Sequence, residues 1–275
     1  MRFLILVAIS LSIAAGQGAA IEQAEQRAAS APKGPTPRTR DGKPDLSGLW
    51  TPDRNFIYDI QDALTPGEKL PLQPWALKTA QERQSKDDPE ALCLPTGVPR
   101  QAPYPWRIMQ NAEMMFFLFE GNIHSYRQIF LTNPKHPEDW NPNWYGHSSA
   151  KWEGDTLVID TVGFVGFAGT PGGGRRGPTT HLVERYNIVD NGERLTVTFT
   201  WNDPSIYTKP HTYTLNYYKM PRDVYAFEDP CDSGDPKEYQ SVQGIPVIGA
   251  TSVYEQNNQP ANGGAARPAQ APPAR

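Results

Sequence analysis

The chain has 275 residues and a formal charge of −4, with 28 prolines, 23 glycines and 20% charged residues. A slightly acidic chain with no block of Lys or Arg lacks the electrostatic footprint of a nucleic-acid binder. Abundant Pro and Gly with moderate charge point to short strands separated by turns, flanked by irregular tails.

Residues 1–20 open with one positive charge, Arg2, followed by an apolar run and then small residues. That order predicts a cleavable secretory signal, so the mature protein is expected in the periplasm or secreted. The apolar run is shorter than the roughly 20 residues of a membrane-spanning helix, and no other stretch is expected to cross a membrane. Residues 21–40 read as a linker and 256–275 as a disordered tail, because neither shows an apolar period. Residues 41–255 read as a single β-rich domain.

The first strand is expected around residues 45–51. Its Gly48-Leu49-Trp50 resembles the opening motif of lipocalin-like barrels, in which the Trp plugs the barrel floor. One helix is expected next, starting at Pro74-Trp75 and running through ALKTAQERQSK before Pro89. The densest strand signal follows, between residues 113 and 227. MMFFLFEGNIHSYRQIFL, SAKWEGDTLVIDTVGF and HLVERYNIVDNGERLTVTFTW each read as a hairpin turning on Gly or Asn-Gly. Leu195, Val197, Phe199 and Trp201 alternate with threonines, the mark of a strand with one buried face. HTYTLNYYKM continues the series and DVYAFED is expected to close it. The fold class is therefore all-β: an antiparallel meander of nine or ten strands closed, or nearly closed, into a lipocalin-like barrel, with one helix.

Cys93 and Cys231 are the only cysteines. Two thiols in an exported chain are expected to pair, which disfavours a Cys nucleophile or a Cys-ligated metal. Histidines are scattered without metal-ligand spacing, and the glycine-rich segment 171–177 is followed by a strand and not a helix. No metal or cofactor is expected.

The stretches DGKPDLSGLW, CLPTGVPR, YGHSSAKWEGDTLVIDTVGF, ERYNIVDNGERLTVTFTWNDPSIYTKP and FEDPC resemble a family of exported bacterial proteins of the Acidobacteria and Proteobacteria type. Its members carry CLPxGxPR, GHSxGxWEGDTLVVxT and DPxxYxxPW in this order. The resemblance implies organisation along the chain and no particular chemistry. Ala150 stands where that pattern has Gly, and His211 where it has an aromatic residue.

The candidate site residues follow from strand geometry. Neighbours on a strand point to opposite faces, so one of each of the pairs His124/Arg127 and Glu184/Arg185 is expected inside the barrel. A buried Arg or Glu needs a partner: an internal ion pair or a charged ligand. His147 is the candidate acid or base, with Asp160 or Glu184 to orient it and Arg127 or Tyr126 to stabilise developing charge. His147 cannot activate its neighbour Ser148, because the two point apart. Glu153 and Asp155 form a carboxylate pair at a hairpin tip, where ordinary turn chemistry competes with glycosidase-like chemistry. Trp140, Trp144, Tyr145 and His124 are candidate ligand contacts, because loop aromatics at a barrel mouth suit stacking on sugars or aromatic compounds. Three functions follow: a binder of a small apolar, aromatic or glycan molecule; a cofactor-independent lyase, isomerase or hydrolase built on His147; or a structural envelope protein.

Overall fold

A computed structural model describes residues 23–24, 26–30, 34–53, 63–65, 67–82, 93–95, 97–98, 104–120, 125–132, 135–138, 141–165 and 180–226. His124, Trp140, Cys231, the segment 171–177 and the tail 256–275 lie outside the described residues.

Nine strands form a closed barrel in sequence order: β1 (Gly48–Pro52), β2 (Trp106–Gln110), β3 (Met114–Phe119), β4 (Tyr126–Phe130), β5 (His147–Glu153), β6 (Thr156–Val162), β7 (His181–Val189), β8 (Arg194–Asn202) and β9 (His211–Lys219). The all-β barrel matches the sequence expectation, and several details differ. First, the ring closes by β9 pairing with β1 through Trp50↔Lys219 to Pro52↔Tyr217. Residues 223–226 of the DVYAFED stretch form no strand. Second, β2 is an additional strand, pairing with both β1 and β3.

The meander is also not purely antiparallel. β4 and β5 run parallel, in register at Ile129↔Ser148 and Phe130↔Ser149; every other neighbouring pair is antiparallel. Parity explains this. Directions that alternate around a ring return to their start only if the strand number is even. Nine strands therefore need one parallel joint. Such a joint requires a crossover connection, because the chain must return to the other end of the barrel; residues 131–146 supply it.

The turns follow their residue chemistry. Gly154 has φ +62° between β5 and β6, and Asp190, Asn191 and Gly192 all have positive φ between β7 and β8, a conformation that Gly and Asn accept most readily. The interior is filled by Trp50, Trp106, Phe117, Phe199, Trp201 and Tyr217, all buried. Trp50 is fully buried, and its indole Nε1 donates to the Leu46 carbonyl at 2.9 Å. Lys219 places its ammonium 5.2 Å from the Trp50 ring centre. This crossing explains Gly48, because a Cβ there would sit 2.6 Å from Lys219 Cε.

Helix α1 (Pro74–Glu82) buries Ala76 and Ala80, one turn apart on one face. Trp75 Nε1 donates to the Ser205 carbonyl at 3.0 Å, and Gln73 N to the Ile206 carbonyl at 2.7 Å. The helix is thereby fixed at the barrel end that carries the β8–β9 loop. The described part of the stretch read as a linker is ordered too. Residues 23–24 and 26–30 are helical, Ala24 packs with Leu49 and Met220, and Arg27 pairs with Glu193 at 2.8 Å.

Candidate functional site

Arg127 of β4 and Glu184 of β7 both point into the barrel and are 1% and 0% exposed. Arg127 Nη1 donates to Glu184 Oε1 at 3.0 Å, and Nη2 to Glu184 Oε2. Its remaining donors reach Ser148 Oγ at 2.9 Å and Thr161 Oγ1 at 2.8 Å. The Tyr186 hydroxyl donates to Glu184 Oε1 at 3.0 Å. Burial opposes the Arg127 charge, and the Glu184 carboxylate overcomes it, holding the guanidinium pKa above its ordinary value. Burial, followed by the same carboxylate, pushes the Tyr186 phenol well above its usual range. The internal ion pair is thus the arrangement found, with each charge bonded to a partner, as a buried charge requires.

His147 belongs to the opposite face of the sheet. It neighbours the inward-pointing Ser148, so strand alternation turns it outward, away from Glu184. Glu184 is therefore not available to orient it, which corrects one of the two carboxylate assignments. His136 stands between His147 and Asp160. His147 Nδ1 lies 2.8 Å from His136 Nδ1, and His136 Nε2 lies 3.4 Å from Asp160 Oδ1. One ring donates and the other accepts at the contact between the two Nδ1 atoms, in roles set by the tautomer, and His136 Nε2, although near Asp160, makes no hydrogen bond. Asp160 also pairs with His181 Nε2 at 2.5 Å. Burial, and then the adjacent His136, lower the His147 pKa below its ordinary 6.5, so the ring is neutral at pH 7 and able to accept a proton. Among the described residues no cluster of His, Cys, Asp or Glu is arranged to hold a metal ion.

A groove of about 430 Å³ runs along the parallel joint. Strand pairing between β4 and β5 begins only at Ile129, so residues 126–128 face the 143–146 loop without a ladder. Tyr126, Phe130, Trp144 and Tyr145 line the groove, and Arg127 borders it while its guanidinium stays bonded inside the barrel. The Tyr145 ring stacks on Phe119 with centres 5.3 Å apart, and its hydroxyl is bonded to Ser125. Gly146 has φ +66°, and a Cβ there would lie 2.6 Å from the Val162 carbonyl oxygen, so only glycine lets the loop enter β5 at this angle. Phe130 stacks on His147 with ring centres 5.0 Å apart, joining the groove to the histidine pair.

The structure thus brings Trp144, Tyr145, Tyr126 and Arg127 to one groove, with His147 behind Phe130. It separates Tyr126, which is 57% exposed, from the buried Arg127–Glu184 pair. His136, Phe130, Thr161 and Tyr186 are additions that sequence reasoning did not single out. Alternation along β6 and β7 places Thr161 and Tyr186 inside, whereas His136 lies in an irregular connection with no pattern to read.

The hairpin-tip carboxylates are engaged by cations. Glu153 meets Lys151 at 2.9 Å and Arg185 at 2.6 Å, and Asp155 meets Arg38. Hydrogen bonds from these partners lower both carboxyl pKa values, whereas a glycosidase acid needs one raised. No cysteine among the described residues is free. No protein-family model, no curated protein and no solved structure matches the chain.

Proposed function

We propose that this is an exported small-molecule binding protein whose ligand, apolar, aromatic or glycan, seats in the groove along the β4–β5 joint. The observation that carries the reading is the groove itself: about 430 Å³, lined by Tyr126, Trp144 and Tyr145, with the Arg127 side of the barrel beneath it. Aromatic walls with a few polar groups are what such ligands require. Phe130 and Trp144 supply stacking surface, and Asn143 and Gln128 supply hydrogen bonds at the rim. Export through the leader at residues 1–20, a Cys93–Cys231 disulfide and membership of the exported bacterial family are parts of the same proposal.

The test is a thermal-shift screen with sugars, phenolics and lipids, followed by titration of any hit against Trp144→Ala. A shift abolished by Trp144→Ala supports the groove. No shift from any class would leave the structural envelope role standing instead.

A second reading rests on the His147–His136 pair. A neutral imidazole, hydrogen-bonded to His136 and stacked on Phe130 of the groove wall, supports a role in taking a proton from a bound molecule. The enzyme would need neither metal nor cofactor. His147→Ala separates the readings: loss of turnover with retained binding identifies an enzyme, and unchanged behaviour identifies a binder.

A further inference from the structure

A second, larger groove of about 990 Å³ opens at the rim where β1 begins and β9 ends. It lies at the other end of the barrel from Tyr126, Trp144 and Tyr145. Four cations, Arg27, Arg107, Lys219 and Arg222, line it against two carboxylates, Asp45 and Glu193. The surplus is positive in a chain whose total charge is −4. Arg27 is held by Glu193 at 2.8 Å and by the Lys219 carbonyl at 2.7 Å. Among the described residues no ion pair engages Arg107, Lys219 or Arg222.

The cation at the centre is structurally prepared. Lys219 crosses the bare backbone of Gly48, and its ammonium rests over the Trp50 ring at 5.2 Å. Its backbone is fixed as well, with its N–H donating to the Glu193 carbonyl at 2.9 Å. Burial lowers its pKa, the cost of holding a charge that no carboxylate fully offsets. Leu49, Met109, Met220 and Val224 give the same groove apolar wall.

We propose that this groove binds a small oxyanion, a phosphate- or carboxylate-bearing molecule with an apolar body. The head group meets Lys219, Arg107 and Arg222, since guanidinium forks match the paired oxygens of either acid. The apolar body lies along Met220 and Val224. This site is independent of the groove at the β4–β5 joint.

The probes are inorganic phosphate, phenyl phosphate and benzoate, titrated into the full chain by calorimetry at pH 7 and matched ionic strength. Phenyl phosphate or benzoate is expected to bind more tightly than inorganic phosphate, and which of the two is tighter identifies the acid. Arg107→Ala with Arg222→Ala is expected to weaken binding at least tenfold, and Lys219→Met to do the same. Lys151→Ala, on another face, and Trp144→Ala are expected to leave it unchanged. Absence of binding by all three probes overturns the proposal. So does binding that survives the double arginine variant.

Discussion

Arg127 and Glu184 form a two-pronged ion pair inside the barrel although two strands, β5 and β6, stand between theirs. The guanidinium spans that distance across the interior, resting on Ser148 of β5 and Thr161 of β6. One side chain thus ties together four consecutive strands, including the parallel joint with the shortest register.

Removing one partner leaves a buried charge without compensation. Glu184→Gln is expected to lower unfolding stability by about 3–5 kcal/mol, read as a drop in the urea midpoint at constant slope. The double variant Arg127→Met, Glu184→Leu should be less damaged than the two singles combined, because no isolated charge remains. Additive losses would show that the pair is not coupled.

Gly146 is a sharper backbone test. Gly146→Ala must place a methyl group against the Val162 carbonyl oxygen at a left-handed φ. A loss of about 2 kcal/mol is expected in thermal or urea unfolding. Ligand affinity in the β4–β5 groove should fall with it, since Trp144 and Tyr145 directly precede the strained residue. Gly154→Ala is the control: a Cβ there meets nothing within 4 Å, so only the φ penalty remains.

The pH dependence follows from His147. Its folded pKa lies below 6.5, so the unfolded chain takes up a proton there more readily than the native one. Stability contributed by the neutral ring is present above pH 6.5 and is lost as pH falls through 6.5 toward the lower native value. His147→Asn is expected to flatten that limb of the stability profile. A profile unchanged by the substitution would show that folding does not lower the His147 pKa.

The proposed Cys93–Cys231 bond is tested directly by thiol titration of the denatured, unreduced chain, which should find no free sulfhydryl. Cys93→Ser is then expected to cost about 4–5 kcal/mol in the chain-entropy account of a loop this long. Two titratable thiols would exclude the bond.

Much of the barrel can be read in the sequence because one face of its strands is apolar and the other wet. The stretch LTVTFTW declares both its strand and its inner face, and β8 follows it residue by residue with burial alternating to Trp201. WRIMQ is harder to read: β2 is short, follows a proline-rich segment, and carries Arg107 and Gln110 among its few apolar residues. DVYAFED has strand-like composition, but β9 already has β1 as its second neighbour, so no edge remains for another strand to pair with. The Arg127–Glu184 pair was foreshadowed by alternation, which turned one member of each polar pair inward. The same alternation separates His147 from Glu184. The role of His136 has no local signature, since it depends on how an irregular crossover lies against β5.

The odd strand number also has a consequence for access. A ring with uniform joints would present the same ladder of backbone bonds all the way round and admit nothing through its wall. Nine strands forbid that uniformity, so the wall has one built-in discontinuity. Here it lies above the most polar layer of the interior and is framed by aromatic rings. The break that topology imposes on this cylinder is therefore also where the strand carrying Arg127 leaves a groove in the wall.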